Sequence, residues 1–372
     1  MAEATAAQLA PYVAWAAFAL AFVFGAVANK TDFCTMGAVS DWVNMGSLNR
    51  MRMWLLAIGV AILGANALQL AGVVDLAKSI YPGRNFTWLS YLVGGFLFGV
   101  GMTLASGCGS KTLIRIGGGN LKSVVVFLVA GIAAYITLRG ILGAFRVGVL
   151  EQAAINLSTG QDLPSLLASV SGISRNALLW ILALAIGGGL IAYAYASKDF
   201  RGNFDYTLGG MVTGLVVVGG WVVSGHLGHL AEDPKTLEEA FVATNSGRME
   251  AFSFVAPLAY SLEYLMLWTD KTKIITFGIA STAGVIAGSA AYALAAGKFR
   301  WEGFRDAEDT GMHMIGGVLM GFGGITALGC TIGQGISGFS TLAAGSIMTF
   351  AAIVAGSAAT MKWQYWRMTR EA

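Results

Sequence analysis

Residues Gly94–Gly109 read GGFLFGVGMTLASGCG, and residues Gly316–Thr331 read GGVLMGFGGITALGCT. At a constant offset of 222 residues, the two stretches share eight identical positions. In each copy an apolar helix rich in glycine runs into Gly-Cys and then into a polar, glycine-containing break. A duplicated pattern of interrupted apolar helices is typical of membrane transporters, whose sites lie where the breaks meet near the bilayer midplane.

The composition supports a membrane location. The 372 residues are 56% hydrophobic and 12% charged, whereas soluble domains are about 25% charged. Fifty-one glycines fit closely packed membrane helices. The net charge of +3 gives no indication of nucleic-acid binding. Three cysteines without a CxxC spacing predict neither a disulfide framework nor a metal site.

Nine apolar stretches are long enough to cross a bilayer, which takes about 20 residues. Pro11–Ala28 is interpreted as the first membrane helix and not as a signal peptide, because no Lys or Arg precedes it. Phe252–Trp268 is shorter, and is either a span lining the interior or an interfacial helix. The nine predicted spans are residues 11–28, 51–73, 88–107, 120–142, 176–197, 204–224, 274–296, 311–329 and 341–361.

Three short segments between the spans are apolar but interrupted: residues 33–45, 109–116 and 331–339. They are too short to cross the membrane, and non-helical backbone at membrane depth survives only when protein buries it or it lines a cavity. We predict that they are re-entrant half-helices. The fold class is therefore an all-α polytopic membrane protein with about nine transmembrane helices and short re-entrant half-helices.

The duplication predicts one membrane domain, residues 1–372, built from two pseudo-symmetric halves, residues 1–146 and 176–372. The polar stretch Arg146–Arg175 is the predicted seam between them. Basic residues cluster near three predicted helix ends, and the positive-inside rule favours the cytoplasm for these ends. The clusters are Lys198 and Arg201; Lys298, Arg300 and Arg305; and Lys362, Arg367 and Arg370.

All three cysteines, Cys34, Cys108 and Cys330, begin an interrupted segment. The unpaired N–H groups at a helix N-terminus bind anions, and a cysteine there lies beside the bound anion. Because sulfur is soft and polarisable, thiols favour an anion that carries a sulfur atom of its own. The alternative for each cysteine is a small buried hydrophobe. The candidate binding set adds the neighbouring glycines Gly107, Gly109 and Gly329.

Polar residues near the cysteines are further candidates. Lys111 either attracts an anion or snorkels to a headgroup, and Arg115 lies one helical turn further on. Gln334 either donates its amide N–H to a ligand or bonds a neighbouring helix. His226 and His229 favour a vestibule or capping role over a metal site, which needs more ligands. The remaining open alternative is Asp41, which pairs with Arg50 or with Arg52.

Four stretches together resemble the YeeE/YedE family of thiosulfate transporters. They are FCTMG around Cys34, SGCGSKTLIRIGGGNLKS at residues 106–123, GWVVSGHLG at 220–228 and GCTIGQGISG at 329–338. The resemblance implies an hourglass-shaped protein with inverted halves, in the bacterial inner (plasma) membrane, with thiosulfate passing between the three cysteines at its waist. It also implies uptake into the cytoplasm, often with a small TusA-like sulfur-carrier partner.

The resulting hypothesis is passive or gradient-coupled import of the thiosulfate ion without covalent change, and hence a transporter with no enzyme activity and no cofactor. The chain has no Gly-x-x-x-x-Gly-Lys-Ser/Thr motif for ATP. Three alternatives stay open. The protein is a membrane sulfurtransferase that forms a cysteine persulfide, a transporter of a related sulfur or selenium species, or a non-transporting subunit that docks a sulfur carrier.

Overall fold

The computed structural model describes residues 6–233 and 236–371. Within them the chain is 73% helical, which confirms the all-α prediction. The α-helices are α1 Ala6–Lys30, α2 Thr35–Met45, α3 Asn49–Leu70, α4 Trp88–Leu104, α5 Gly109–Gly117, α6 Leu121–Arg139, α7 Ile141–Phe145, α8 Leu163–Ser171, α9 Arg175–Leu182, α10 Gly189–Tyr195, α11 Lys198–Gly202, α12 Phe204–Val222, α13 Ala256–Met266, α14 Phe277–Ala295, α15 Ala307–Thr326 and α16 Ala344–Glu371.

Shorter elements join or extend these helices. Four are single π-helical segments, Arg146–Leu150, Ala183–Gly188, Val223–Leu227 and Gly333–Gly338, and two are 3₁₀ turns, Leu76–Lys78 and Glu151–Ala153. The described residues also form two antiparallel strand pairs. They are β1 Asn85–Phe86 with β2 Ile155–Asn156, and β3 His229–Leu230 with β4 Ala240–Phe241.

Eight segments of the described chain are long and apolar enough to cross a membrane, and they correspond to eight of the nine predicted spans. They are Ala6–Met45, Asn49–Leu70, Trp88–Gly117, Leu121–Arg139, Arg175–Tyr195, Phe204–Leu227, Phe277–Ala295 and Ala344–Arg370. The ninth prediction falls on α15, which has 20 residues, carries Glu308 and Asp309 in its first turn and is not among these eight segments. Helix α13 has 11 residues, about 17 Å at 1.5 Å per residue, and is too short to span. The chain is a multi-pass membrane protein.

The duplicated stretches pack directly against each other. Helices α4 and α15 cross in antiparallel orientation, since Gly94 lies against Gly323 and Gly101 lies against Gly316. A Cβ atom built on Gly101 would come within 2.7 Å of the carbonyl oxygen of Gly316. Glycine is therefore required for the close approach of these two helices.

Helix α4 also packs in parallel against α16, the helix that follows the cysteine break after α15. In the same way, α15 packs in parallel against α6, the helix that follows the cysteine break after α4. Gly99 of α4 contacts Ile353 of α16, and Gly321 of α15 contacts Ala133 of α6. At the 222-residue offset, α6 falls on α16 and α4 falls on α15. The two contacts are thus equivalent, and the core is a four-helix unit with an internal two-fold relation.

The structure contains a second pair of parallel helix contacts. Helix α1 packs in parallel on α14, with the carbonyl of Phe22 against Gly288, and α3 packs in parallel on α12. The buried face of α1 recurs every three or four residues, as expected for a helix with one packed face. Its members are Val13, Ala17, Ala21, Phe24, Gly25 and Ala28.

Candidate functional site

Each cysteine follows a helix that ends in the same way. Asp32, Ser106 and Leu328 have φ of 54°, 56° and 58°, the left-handed conformation that closes a helix and that glycine usually occupies. Each lies two residues before a cysteine. The residue between them donates its N–H to a carbonyl five residues earlier, as in a Schellman cap. These bonds are Phe33 to Ala28 at 3.1 Å, Gly107 to Met102 at 2.8 Å and Gly329 to Gly324 at 2.8 Å.

The helix is interrupted at each of these caps, and a short helix starts at or just after the cysteine. Cys34 is the N-cap of α2, and Cys108 is the N-cap of α5. After Cys330 the helix runs through the π-helical segment Gly333–Gly338. The three predicted re-entrant segments are therefore short helices whose N-termini lie at the thiols. Backbone N–H groups and a positive dipole end accompany each sulfur.

The thiols are free and buried. The sulfur of Cys330 accepts hydrogen bonds from the backbone N–H of Phe254 at 3.3 Å and of Gly333 at 3.4 Å. The sulfur of Cys34 accepts the N–H of Gly37 at 3.4 Å. Because these sulfurs act as acceptors, their S–H protons are available for another acceptor. The sulfur of Cys108 lies 3.3 Å from Oγ of its neighbour Ser110.

Cys108 interacts electrostatically with both Cys34 and Cys330, so the structure brings the three predicted cysteines together. Phe254 contacts both the break at Cys108 and the break at Cys330. Its N–H bonds to the sulfur of Cys330, and its carbonyl oxygen lies 3.1 Å from the Cβ position of Gly109. Cys108 and Cys330 are completely inaccessible to solvent and Cys34 is 4% exposed. The row of thiols is therefore closed to solvent, and we call it the constriction.

One end of this row opens into a cavity of about 370 Å³, which we call the basic vestibule. Cys34 lines it, together with Lys111 and Arg115 as predicted candidates. Its charged residues are Arg50, Lys111, Arg115, Lys298 and Arg300 against Asp32 and Glu302. The excess of cations favours an anion in this cavity.

Lys111 does not snorkel freely. Its side chain is 12% exposed and its Nζ lies 2.8 Å from Oδ1 of Asp32, in the left-handed position before Cys34. Arg50 pairs with Asp41 at 3.2 Å and lies 3.9 Å from Asp32. The open alternative for Asp41 is thus settled in favour of Arg50. The ion pair between Lys111 and Asp32 connects the break at Cys108 to the break at Cys34.

A second cavity, of about 210 Å³, contacts the other end of the row, and we call it the tyrosine vestibule. Gly329, Ser253, Tyr81 and Tyr260 are among its lining residues. Phe277, the first residue of α14, also lines the tyrosine vestibule. Lys298, which lines the basic vestibule, comes just after the last turn of the same helix. The 19 residues of α14 span about 28 Å, so the two vestibules face opposite ends of the molecule.

Gln334 is buried beside the Cys330 break. Its Nε2 donates to the carbonyl of Ala327 at 2.5 Å, so the amide N–H proposed for a ligand bonds the preceding helix end. Its Oε1 is buried without a hydrogen-bond partner in the described structure. Gln334 fixes the turn before Cys330 and presents an acceptor at the constriction.

The two histidines lie apart from the thiols. His229 Nε2 bonds Oε1 of Glu239 at 2.7 Å, and Lys78 bonds the same oxygen. Hydrogen bonds from Lys78 and His229 hold the pKa of Glu239 below its usual value. His226 is exposed. Within residues 6–233 and 236–371, no group of three or more His, Cys, Asp or Glu side chains is arranged to hold a metal ion.

Sequence reasoning missed several residues at this site. Asp32 could have been identified from the sequence, because it lies two residues before Cys34, as Ser106 lies two residues before Cys108. Phe254, Tyr81 and Glu250 reach the site from segments distant in sequence, and no motif marks them.

A multi-pass membrane protein with two vestibules at opposite ends, separated by buried thiols at helix breaks, has the architecture of a membrane transporter in a closed state. The sequence pattern of the family described as "Sulphur transport" matches residues 30–359, and the chain belongs to this family. It is 26% identical to the thiosulfate transporter TsuA of Escherichia coli K12 over 92% of this chain and 87% of that protein. It is 24% identical to the thiosulfate transporter TsuA of Spirochaeta thermophila over 95% of this chain and 99% of that protein.

Proposed function

We propose that this protein imports thiosulfate across the bacterial inner (plasma) membrane, through the constriction formed at Cys34, Cys108 and Cys330. The observation that carries the proposal is the row of three thiols, each at the N-terminus of a short helix, between two opposite vestibules. The similarity to two thiosulfate transporters along more than nine-tenths of the chain supports the choice of anion.

The geometry suits an anion with one terminal sulfur. Helix N-termini stabilise the negative charge, while a free S–H at each cysteine donates to the terminal sulfur of thiosulfate. Sulfate offers only oxygen atoms, for which water is the better partner. The ion passes from thiol to thiol through S–H···S contacts, without a covalent bond to the protein. Gly107, Gly109 and Gly329 allow close packing at the breaks, because a Cβ atom on each would lie 3.1–3.2 Å from Lys111, Phe254 or Gln334.

The basic vestibule faces the cytoplasm in this proposal, because Lys298 and Arg300 belong to a basic cluster that the positive-inside rule places there. The tyrosine vestibule then receives thiosulfate from outside. A potential that is negative inside opposes entry of a dianion by about 2.3 kcal/mol per charge at 100 mV, or about 4.6 kcal/mol in all. Import against such a potential needs a coupled source of free energy.

A small sulfur-carrier protein of the TusA type is the proposed cytoplasmic partner. The support is the family resemblance together with an open vestibule at the proposed cytoplasmic end, where a carrier would receive the released ion. Enclosing such a carrier in liposomes that contain the transporter should increase net thiosulfate uptake. Equal uptake with and without the carrier would remove this partner from the proposal.

The test is uptake of labelled thiosulfate by purified protein in liposomes. Cys108→Ala and Cys330→Ala should each lower the uptake rate by about 10- to 150-fold, because each removes a donor from the constriction and a lost hydrogen bond to a charged group is worth about 1.5–3 kcal/mol. Ser169→Ala, on the exposed face of α8, is the control. Normal uptake by both cysteine variants would refute the mechanism. A stable added sulfur in the intact mass after exposure to thiosulfate would instead favour a sulfurtransferase.

A further inference from the structure

Glu250 lies in the tyrosine vestibule, in the segment that leads from β4 to α13. Its Oε1 accepts the backbone N–H of Ser246 at 2.8 Å, and its own backbone N–H donates to Oγ of Ser224 at 3.2 Å. The side chain is only partly exposed. These bonds fix a carboxyl group in the cavity through which the anion approaches Cys330.

The cations of the same cavity are engaged elsewhere. Arg146 forms an ion pair with Glu151, and the side chain of Arg139 hydrogen-bonds Tyr260. The exposed Arg248 lines the neighbouring cavity. Within the described residues, Glu250 has no salt-bridge partner, and a charged carboxylate there would repel an entering dianion.

The environment favours the neutral acid. Burial raises the pKa of Glu250 above its usual value, although the hydrogen bonds from Ser246 act in the opposite direction. The groups that face it are phenols. Burial raises the pKa values of Tyr81 and Tyr260, so both remain neutral hydroxyls. Negative charge on Glu250 or on Cys330 would raise the pKa of Tyr81 further, so Tyr81 lies near both groups.

We propose that this protein is a proton symporter in which Glu250 carries the co-transported proton. The inference rests on the proposed function and adds its energy source. A proton from the outer solution forms the O–H bond on the Glu250 carboxylate, which removes the repulsion and lets the dianion bind. When the anion passes the constriction, that O–H bond breaks, the carboxylate is restored, and the proton moves inward with the anion to water in the basic vestibule. Each proton carried cancels one of the two negative charges that enter.

The coupling is reciprocal, because a proton that helps the anion bind is itself bound more tightly when the anion is present. Uptake should be maximal where Glu250 is protonated and should fall as the outer pH rises through its raised pKa. Glu250→Gln is an uncharged mimic of the protonated acid and retains an oxygen that can accept the Ser246 N–H. This variant should bind and exchange thiosulfate at any of these pH values but should carry no proton.

The experiment uses full-length protein in liposomes at zero membrane potential, with the outside one pH unit more acidic and a pH-sensitive dye inside. Wild-type protein should accumulate thiosulfate about tenfold for each coupled proton and acidify the interior. Glu250→Gln should only equilibrate thiosulfate, while exchange of labelled for unlabelled ion stays within about twofold of wild type. Glu232→Gln, exposed in the connection between β3 and β4, should behave as wild type.

The possible results separate the two proposals. Wild-type protein that moves no thiosulfate would refute the proposed function itself. Uptake without acidification, or accumulation by Glu250→Gln equal to that of wild type, would overturn proton symport and leave thiosulfate transport standing. Loss of both exchange and accumulation in Glu250→Gln would also overturn the assignment, because it would place Glu250 in binding or folding and not in coupling.

Discussion

Ser106 and Leu328 adopt the same left-handed backbone conformation, with φ of 56° and 58°, at equivalent positions 222 residues apart in the sequence. Neither is glycine, so each stores strain of order 1–3 kcal/mol. Both precede Gly-Cys, and both end a helix of the central antiparallel pair. The strain is tolerated because the Schellman hydrogen bonds and the packed helix ends fix the backbone on both sides of the residue.

Substitutions at Ser106 should reveal this strain. Ser106→Val should lower stability by about 1–2 kcal/mol, since a branched side chain is particularly disfavoured at positive φ. Ser106→Gly should change stability by less than about 1 kcal/mol, because relief of strain offsets the added entropy of the unfolded chain. Thermal unfolding in detergent measures both, with Ser169→Val on exposed α8 as control. A valine variant as stable as the glycine variant would contradict the assigned conformation.

Much of the fold could be predicted because it follows from periodic signals. Long apolar stretches located eight spans, and the repeat of Gly-Cys located two of the three breaks. The glycines at Gly94 and Gly101 indicated close helix packing, and the structure shows them at the crossing with Gly316 and Gly323. The division into halves at residues 146 and 176 stays a prediction, as do the roles of the binding residues.

Other features could not be predicted because they depend on contacts between distant segments. The N–H that bonds Cys330 comes from Phe254, 76 residues earlier, in a stretch with no distinctive pattern. The partner of Lys111 is Asp32, 79 residues away. Single-sequence patterns report local periodicity, and such pairings arise only when the helices pack.

Helix packing at Gly99 provides a second prediction. A Cβ atom there would lie 2.1 Å from the carbonyl oxygen of Ile353, so Gly99→Ala should separate α4 from α16 and destabilise the protein by about 1–3 kcal/mol. Gly189→Ala is the matched control, because no atom lies within 4 Å of its Cβ position; alanine there should stabilise α10 slightly. Thermal unfolding of the two variants is the measurement. Equal destabilisation by both would show that the contact at Gly99 is unimportant.

The ion pair between Lys111 and Asp32 provides a third prediction. We expect Lys111 to leave Asp32 and contact the anion when thiosulfate occupies the basic vestibule. Asp32→Asn should lower the KM for thiosulfate supplied at the basic vestibule, measured as transport from that side in liposomes, by up to about fivefold, because partly exposed ion pairs are worth at most about 1 kcal/mol. Asparagine also tolerates the left-handed conformation, so the turn should persist. Lys111→Met should raise KM, and Lys111→Arg should restore most of the affinity. An unchanged KM in Asp32→Asn and Lys111→Met alike would show that this pair is purely structural.

The solvent accessibility of the three cysteine thiols provides the fourth prediction. Cys34 lines the basic vestibule, whereas Cys108 and Cys330 have no solvent-accessible surface. A small, charged, membrane-impermeant thiol reagent should therefore modify Cys34 at least about tenfold faster than the other two cysteines, and only when it is applied at the proposed cytoplasmic end. Peptide mass spectrometry after timed labelling of sealed vesicles gives the three rates, and Cys34→Ala controls for the assignment. Thiosulfate should slow the reaction if it occupies the cavity beside Cys34. Faster labelling of Cys330 from the cytoplasmic end would reverse the proposed orientation, because that thiol adjoins the tyrosine vestibule.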